Sequence, residues 1–213
     1  MSRLPRATRS PALLVAAAVL LAGCGGRPGP VAQVAADPSG YSGTLLTPAE
    51  PRPELTLPDT GLARFDLGHR PVGELTVLFF GYTHCPDVCP TTMADLAAAV
   101  RALRPAIRAR VKVVFVTEDP RRDTAPVVRA WLDRFDPSFV GLIGGSTTTS
   151  YVLTQLHLPQ TVLASAAPAS TAGYAVSHSG VVYVFADRGG TLVYTGGTTP
   201  SQYAADLTRL AHA

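Results

Sequence analysis

Two almost uninterrupted apolar segments, LTVLFFGY (75–82) and VKVVFVT (111–117), constrain the fold more than any other feature of this sequence. A strand that faces solvent on one side alternates apolar and polar residues, whereas a continuous apolar run is typical of a strand buried on both faces. The segment TTMADLAAAVRALRPAI between them repeats apolar residues at helical spacing and is rich in good helix formers. The sequence therefore predicts a buried sheet whose strands alternate with covering helices.

The rest of the chain continues this alternation. RDTAPVVRAWLDRF follows as a helix with Asp123 or Thr124 as its N-cap, FVGLIGG as a third strand and STTTSYVLTQLHL as a weaker helix. Residues 159–177, small and polar in composition, are expected to form a long loop, and GVVYVFADRGGTLVYTGG a β-hairpin. A last helix begins after Thr199, which is spaced from Gln202 as in a capping box. This order predicts an α/β fold of the thioredoxin-like type, with a central mixed sheet flanked by helices.

The N-terminus has the layout of a secretory signal: three arginines within the first ten residues, then the apolar stretch PALLVAAAVLLAG, then Cys24. The four residues LAGC that end at Cys24 resemble a bacterial lipoprotein processing site, which implies cleavage before Cys24 and a lipid on its sulfur. An ordinary signal peptide or an uncleaved anchor is the alternative. We therefore expect a signal peptide over 1–23, a flexible membrane tether over 24–53 and a folded domain over 54–213.

Cleavage at this point would place the mature protein at the extracytoplasmic face of the cell membrane, where disulfides can form. It would also remove three of the 18 basic residues and leave 15 against 15 acidic ones, a net charge of zero. The basic isoelectric point of the full chain thus comes from the leader. Nucleic-acid binding usually needs a basic patch on the folded domain, so no nucleic-acid partner is expected.

Cys85 and Cys89 are the two remaining cysteines, in the stretch FFGYTHCPDVCPTT between a predicted strand and a predicted helix. The N-terminus of a helix stabilises anions and hence thiolates, the form of cysteine that binds metals and attacks disulfides. Three roles are open: a structural disulfide, a redox couple and a pair of metal ligands. A disulfide across so short a loop would restrict little chain entropy, and the C-x-x-x-C spacing is one residue longer than the thioredoxin redox motif.

A metal site needs further ligands, and among the five histidines His178 has the most suggestive position. It stands at the end of the predicted loop and the start of a predicted strand, which in a thioredoxin-type sheet lies close to the cysteine loop. Two thiolates and an imidazole suit copper, because sulfur prefers Cu(I) and imidazole binds both copper oxidation states. Zinc is the alternative, with Asp87 or water as the fourth ligand of a tetrahedral site.

Three segments, FFGYTHCPDVCPTTMADL, VVFVTEDPRRDTAPVVRAWLDRFDPSFVGLIG and AVSHSGVVYVF, resemble the SCO/SenC family of copper chaperones. The similarity runs in order from about Tyr41 to near the C-terminus. The resemblance implies a thioredoxin-like fold and copper, as Cu(I) or Cu(II), bound by Cys85, Cys89 and His178. It further implies help in assembling the binuclear copper site of cytochrome c oxidase subunit II, which makes that subunit the expected partner.

The family commonly has an acidic residue before the histidine, where this chain has Ser177, and this difference bears on the affinity for Cu(II). The alternative function is a thiol–disulfide oxidoreductase that reduces the cysteines of the same copper site. In that role Cys85 and Cys89 would be the catalytic residues, alternating between dithiol and disulfide, with a thiol reductant as a further partner. That exchange has no need of His178.

Side chains near the cysteines have less specific expectations. His84 is expected to be an exposed loop residue or a weak extra ligand. Asp87 is expected to cap the following helix or to tune the thiolates. Asp119 and Arg122 are expected to pair, either fixing the loop beside the site or as a solvated surface pair.

Overall fold

The computed structural model describes residues 39–164 and 174–213. Its strands are β1 (Thr44–Leu45), β2 (Thr56–Pro58), β3 (Arg64–Asp66), β4 (Leu75–Gly81), β5 (Val111–Thr117), β6 (Val140–Leu142), β7 (Val162–Ala164), β8 (Ala175–Ser177), β9 (Val182–Phe185) and β10 (Thr191–Tyr194). Its helices are α1 (Val88–Ala102), α2 (Pro105–Arg108), α3 (Ala125–Leu132), α4 (Ser146–Gln155) and α5 (Pro200–Leu210). None of the helices in the two described ranges combines the length and apolarity that crossing a membrane requires.

Some predictions fall on residues that the structure does not describe. The expected signal peptide over 1–23, the lipidation site Cys24 and the tether as far as residue 38 lie outside the described residues. Residues 165–173 of the expected long loop also lie outside them. The leader, the lipid and the tether therefore stay predictions.

Six strands form one mixed sheet in the order β1-β10-β9-β4-β5-β6. β4 and β5 are parallel, with Leu75 opposite Val111 and Gly81 opposite Thr117, and β6 continues the parallel side. β9 lies antiparallel to β4, and β10 antiparallel to β9, so the predicted hairpin joins the other side of β4. A β4–α1–β5 unit followed by a β9–β10 hairpin and α5 is the thioredoxin-like arrangement, and the predicted fold class is confirmed.

Both faces of β4 are buried, as its apolar run predicts. Val77 and Phe79 face one core with residues of α1, α3 and α5, whereas Leu78 and Phe80 face a second core with residues of α4 and β2. Successive side chains of a strand point to opposite faces, so one strand serves both layers. Truncating a fully buried phenylalanine to alanine typically costs about 3–5 kcal/mol. The two layers therefore hold the end of β4, and the cysteine loop that follows it, in a fixed place.

The folded part begins earlier than expected, because β1 lies inside the predicted tether and pairs with β10 at the edge of the sheet. The buried carboxylate of Asp206 on α5 accepts backbone N–H bonds from Ser42 and Gly43, at 2.9 and 3.0 Å, and a hydroxyl bond from Tyr194 at 3.0 Å. Hydrogen bonds to a charged acceptor stabilise more than neutral ones. The boundary expected between residues 53 and 54 therefore moves towards the N-terminus.

Residues 159–177, predicted as a loop, contain a small antiparallel sheet. β7 pairs with β8, with Val162 opposite Ser177. Residues 159–177 are mostly small or polar, and neither three-residue strand has enough alternating apolar residues to be recognised from sequence. As a result, the residue before His178 lies in a paired strand, and the histidine starts from a defined position.

Candidate metal centre

The cysteine loop connects the buried end of β4 to α1, whose first residue is Val88. Cys85 lies in the loop and donates its backbone N–H to the Tyr82 carbonyl at 3.2 Å, while Cys89 lies in the first turn of α1 and is fully buried. The Cys89 backbone N–H points at the Cys85 sulfur from 3.4 Å, so the helix start favours a thiolate there. Both cysteines are free thiols, and the disulfide between them stays a prediction for an oxidised form.

His178 follows β8 and brings its imidazole to the two sulfurs. Nε2 lies 3.5 Å from Cys85 Sγ and 3.4 Å from Cys89 Sγ, and the three atoms lie within 4.8 Å of one another. No second cluster of three or more such donors occurs in residues 39–164 and 174–213. The structure thus brings together three predicted ligands, two of them 89 positions apart in the chain. Their role as ligands stays a prediction.

Backbone and aromatic contacts fix the histidine ring. Gly180 donates its N–H to Nδ1 at 3.2 Å, and the ring meets Tyr82 and Phe79 edge-on, with centroid distances of 5.5 and 6.3 Å. Because Nδ1 accepts this bond, a neutral ring carries its proton on Nε2, facing the sulfurs. A metal bound at Nε2 would require the proton on Nδ1 instead, so the hydrogen bond from the Gly180 N–H to Nδ1 would have to break.

The pKa values of the two thiols are shifted in opposite directions. A hydrogen bond from the Cys89 thiol, together with the backbone N–H groups of Cys89 and Asp87 and the His178 side chain, lowers the pKa of Cys85 to about 4 against the opposing effect of burial. The pKa of Cys89 is raised, because its thiol is committed to Cys85 and is buried. Two groups that interact so closely titrate as a pair. At neutral pH the site therefore holds one thiolate and one thiol.

Glu118, which the sequence did not single out, lies beside the cysteine half of the site. Its N–H bonds to the Gly81 carbonyl at 2.7 Å, and Gly81 in turn packs so closely on Cys89 that a Cβ there would lie 2.7 Å from Sγ. Thr161 donates to Oε1 of the buried carboxyl at 2.8 Å, while Oε2 has no hydrogen-bond partner among the described residues. Burial raises the pKa of Glu118. An acidic residue directly after a buried parallel strand is the signal that points to it.

Asp123, one of two predicted helix caps, is a buried acceptor beneath the cysteine loop. Its carboxylate accepts hydroxyl bonds from Thr83 and Thr117, both at 2.6 Å, and the Thr83 backbone N–H at 3.0 Å. Thr124, the other predicted cap, takes the N-cap position of α3 without a side-chain bond. Asp123 therefore holds the cysteine loop and does not occupy the N-cap position of α3.

The other predicted neighbours divide between the packed loop and the surface. Asp119 and Arg122 form the expected ion pair, and because the Asp119 side chain is only 1% exposed, this pair belongs to the packed loop and not to the solvated surface. The His84 side chain is 52% exposed and contacts the Thr83 hydroxyl at 3.1 Å. Asp87 takes the N-cap position of α1 without a side-chain cap bond. His84 and Asp87 therefore lie at the rim of the site.

Fold and site together define a class of protein: a thioredoxin-like domain that presents two cysteine sulfurs and one imidazole nitrogen beyond the carboxyl end of its central parallel strand. Comparison with known proteins identifies the family within this class. The family model described as SCO1/SenC matches residues 68–212. The chain belongs to the SCO1/SenC family, and the resemblance drawn from its motifs is confirmed.

Curated relatives carry the family name. The chain is 33% identical over 118 residues to the mitochondrial protein SCO1 homolog 1 of Arabidopsis thaliana, a match that covers 53% of this chain and 33% of the relative. It is also 33% identical over 120 residues to the mitochondrial protein SCO2 homolog of Bos taurus, covering 55% of this chain and 43% of that protein. The chain thus spans less than half the length of either relative.

Solved structures extend the similarity over the domain that carries the site. The copper-bound ScoI of Bradyrhizobium japonicum superposes with a TM-score of 0.63 at 29% identity, over 75% of this chain and 99% of that chain. The apo Sco1 of Thermus thermophilus superposes with a TM-score of 0.67, also at 29% identity, over 80% of this chain and 96% of that chain. One of these two relatives contains copper, and the other is metal-free.

Proposed function

We propose that this protein is a copper chaperone that holds one copper ion with Cys85, Cys89 and His178 and passes it to the binuclear copper site of cytochrome c oxidase subunit II. The observation that carries the proposal is the convergence of two sulfurs and Nε2 within 4.8 Å. The copper-bound relative from Bradyrhizobium japonicum supports the choice of metal.

The donor set fits copper better than zinc. Soft thiolate ligands select Cu(I), and an imidazole accommodates both Cu(I) and Cu(II). A structural zinc site takes four protein ligands, whereas the cluster in the described part of the chain contains three. In a chaperone copper is the cargo, so the donors have to release the ion as well as bind it.

Accessibility and charge give the two sulfurs different tasks. Cys85 retains 9% exposure and a lowered pKa, so it presents a thiolate to an incoming ion first. Cys89 is fully buried and holds its proton, which it has to lose before it can bind. Capture of copper therefore releases a proton. His178 closes the site as the third donor.

The proposed location is the extracytoplasmic face of the cell membrane. The LAGC sequence that ends at Cys24 supports a lipid anchor, and the Gly- and Pro-rich residues after it support a tether. A tether raises the effective concentration of the domain at a partner in the same membrane. Because thiols oxidise outside the cytoplasm, a thiol reductant is part of the proposal.

A copper titration of the reduced protein tests the ligand set. Competition with a Cu(I) chelator gives the affinity, and absorbance reports thiolate–Cu(II) bonds. Since loss of even a supporting side chain costs a metal site about 10–100-fold, we expect His178→Ala to lower the copper affinity at least about tenfold. The matched control is His69→Ala, which removes an exposed imidazole beside Asp66 and should bind copper as the wild type does. Undiminished binding by His178→Ala would contradict the three-ligand site.

The second candidate function is a thiol–disulfide oxidoreductase acting on the cysteines of the same oxidase subunit. The low pKa of Cys85 favours it, because disulfide exchange needs a reactive thiolate with a resolving thiol beside it. Cells that carry His178→Ala separate the two functions. If oxidase maturation survives while copper binding is lost, thiol reduction is the main role; if both are lost, copper delivery is.

A further inference from the structure

Tyr174 ties the histidine segment to the loop that follows β5. Its hydroxyl donates to Asp119 Oδ1 at 2.5 Å, and its carbonyl accepts from Arg122 Nη1 at 3.0 Å. The Arg122 guanidinium also lies over the Tyr174 ring, 3.9 Å from its centroid, and Arg122 is itself held by Asp119. Tyr174 stands directly before β8, the strand that leads to His178. These contacts therefore act on the element that positions the imidazole.

The same loop holds the cysteine half of the site through a different residue. The Asp123 carboxylate accepts both the hydroxyl and the backbone N–H of Thr83, at 2.6 and 3.0 Å. Thr83 precedes Cys85 in the cysteine loop. The Asp119 carboxylate binds Tyr174 and Arg122, whereas the Asp123 carboxylate binds Thr83. The two residues share the Thr117 hydroxyl, which accepts the Asp119 N–H and donates to Asp123. Substitutions at Tyr174 or Thr83 leave that shared contact in place, so one set of contacts can be broken while the other stays.

We propose that the loop after β5 is a brace with two independent arms. The histidine arm is Tyr174 held by Asp119 and Arg122. The cysteine arm is Thr83 held by Asp123. The histidine arm sets how readily the imidazole leaves the sulfurs, and hence how fast copper is released. Tyr174 is a positioning residue that acts through the backbone of β8, and the inference rests on the proposed function.

The two halves of the site differ in how much they depend on such contacts. The cysteines follow β4, which lies in the middle of the six-stranded sheet and is buried throughout. The histidine follows β8, which belongs to a separate two-stranded sheet with β7. Two-stranded sheets are marginally stable by themselves, and segments of this kind open locally before the core does. Closure of the histidine half therefore depends on the side chains that hold Tyr174.

Tyr174→Phe tests the histidine arm, because it removes the hydroxyl and keeps the ring over Arg122. The matched control is Tyr151→Phe, which removes an exposed hydroxyl that contacts Gln155. Each protein is loaded with Cu(I), and its release to an excess of chelator is timed. We expect Tyr174→Phe to release copper about tenfold faster, equivalent to about 1.4 kcal/mol, and Tyr151→Phe to release it at the wild-type rate. Release by Tyr174→Phe at the wild-type rate would overturn the histidine arm.

A double-mutant cycle shows whether Tyr174 acts through His178. In a His178→Ala background, Tyr174→Phe is expected to have no further effect on copper release, since the imidazole it positions is gone. Thr83→Val removes the hydroxyl of the cysteine arm and is expected to accelerate release in both backgrounds. Equal acceleration by Tyr174→Phe with and without His178 would show that it loosens the whole fold and would refute the independence of the arms.

A metal-free measurement keeps this inference distinct from the proposed function. Cys85 is only 9% exposed, with His178 beside it, so opening of the histidine segment should speed its alkylation. We expect Tyr174→Phe to be alkylated about tenfold faster at every pH, with an unchanged midpoint of the pH profile. A wild-type alkylation rate would refute the brace even if copper binding is confirmed. If His178→Ala binds copper undiminished, the proposed function fails, while the alkylation rate still decides the histidine arm.

Discussion

Cys85 is expected to stay reactive far below the pH range of an ordinary thiol. Its pKa lies at about 4, lowered from 9.0 chiefly by the hydrogen bond from the Cys89 thiol. At pH 6, a thiol with a pKa of 9.0 is about 0.1% thiolate, whereas one with a pKa of about 4 is about 99% thiolate. Only the thiolate attacks an alkylating reagent, so the reactive population differs by about three orders of magnitude. The lower nucleophilicity of a low-pKa thiolate offsets part of this gain.

Replacing Cys89 with alanine isolates the cause of the shift. The variant removes the thiol donor and keeps the backbone N–H that points at Cys85 Sγ from 3.4 Å. We expect the pKa of Cys85 to rise, because its largest stabilising contact is lost, and to stay below 9.0, because the N–H groups at the start of α1 remain. Cys89→Ser, whose hydroxyl can also donate, is the matched control and should keep the pKa low.

The assay follows iodoacetamide modification of the reduced, copper-free protein across a pH series, with peptide mass analysis to separate Cys85 from Cys89. The reaction rate of Cys85 should level off well below neutral pH in the wild type and at a higher pH in Cys89→Ala. A wild-type midpoint near that of a free cysteine would refute the reasoning. An identical midpoint in Cys89→Ala would show that the helix start, and not the thiol, lowers the pKa.

The same shift fixes the sign of the pH dependence of stability. Between about 4 and 9.0 the folded protein has lost a proton from Cys85 that the unfolded chain still binds. The Cys85 contribution to the free energy of unfolding therefore rises with pH across this window. It is fully present above the unfolded pKa and is lost as the pH falls through the folded pKa. Unfolding midpoints of the wild type and Cys85→Ala should diverge as the pH increases.

Two further substitutions test the packing around the sulfurs and the buried carboxyl beside them. Gly81→Ala places a Cβ 2.7 Å from Cys89 Sγ and should destabilise the protein by about 2 kcal/mol, a fall in Tm on the order of 4–8 °C in thermal unfolding. Gly196→Ala, in an exposed turn with no atom within 4 Å of its Cβ, is the control and should change stability by less than about 0.5 kcal/mol; equal effects would contradict the packing argument. Glu118→Gln should raise Tm at neutral pH, because burial raises the pKa of Glu118 and its charged form costs stability above that pKa. The gain should vanish at acid pH, where the carboxyl is protonated in both states, and a gain that persists there would contradict this cause.

The sequence predicts those parts of the fold whose residue pattern is visible within a single segment of the chain. β5 matches the predicted segment 111–117 to the residue, and β4 ends one residue earlier than predicted, because a strand buried on both faces is apolar along its whole length. β1 has only two residues, and its place in the sheet depends on a carboxylate of α5 far along the chain. β7 and β8 have only three residues each, too few for any periodicity to reveal their pairing. Such elements are set by tertiary contacts, which a local pattern does not contain.

The residues of the site likewise fall into those that local patterns predict and those that only the packed fold shows. The position of Cys85 and Cys89 at a helix start follows from the strand and helix patterns on either side. The place of His178 before a predicted strand made it a candidate, but its assignment as a ligand came from the family resemblance, because nothing in the spacing of the chain links an imidazole to a sulfur 89 positions away. Asp123 and Glu118 were missed as parts of the site, because an acidic residue after a strand also suits a helix cap or a surface position. Their burial is a property of the packed fold.

The position of the imidazole is the feature that separates the two candidate functions. Disulfide exchange and copper capture compete for the same electron pairs on Cys85 and Cys89, so the low pKa of Cys85 serves both equally. Exchange needs one exposed thiolate and one resolving thiol, and a ring close to both sulfurs hinders the approach of a partner disulfide. Nε2 is nearly equidistant from the two sulfurs, at 3.5 and 3.4 Å. A third donor in that position is of use to an ion that binds all three groups, whereas disulfide exchange has no use for it, and this difference favours the proposed copper chaperone over the proposed oxidoreductase.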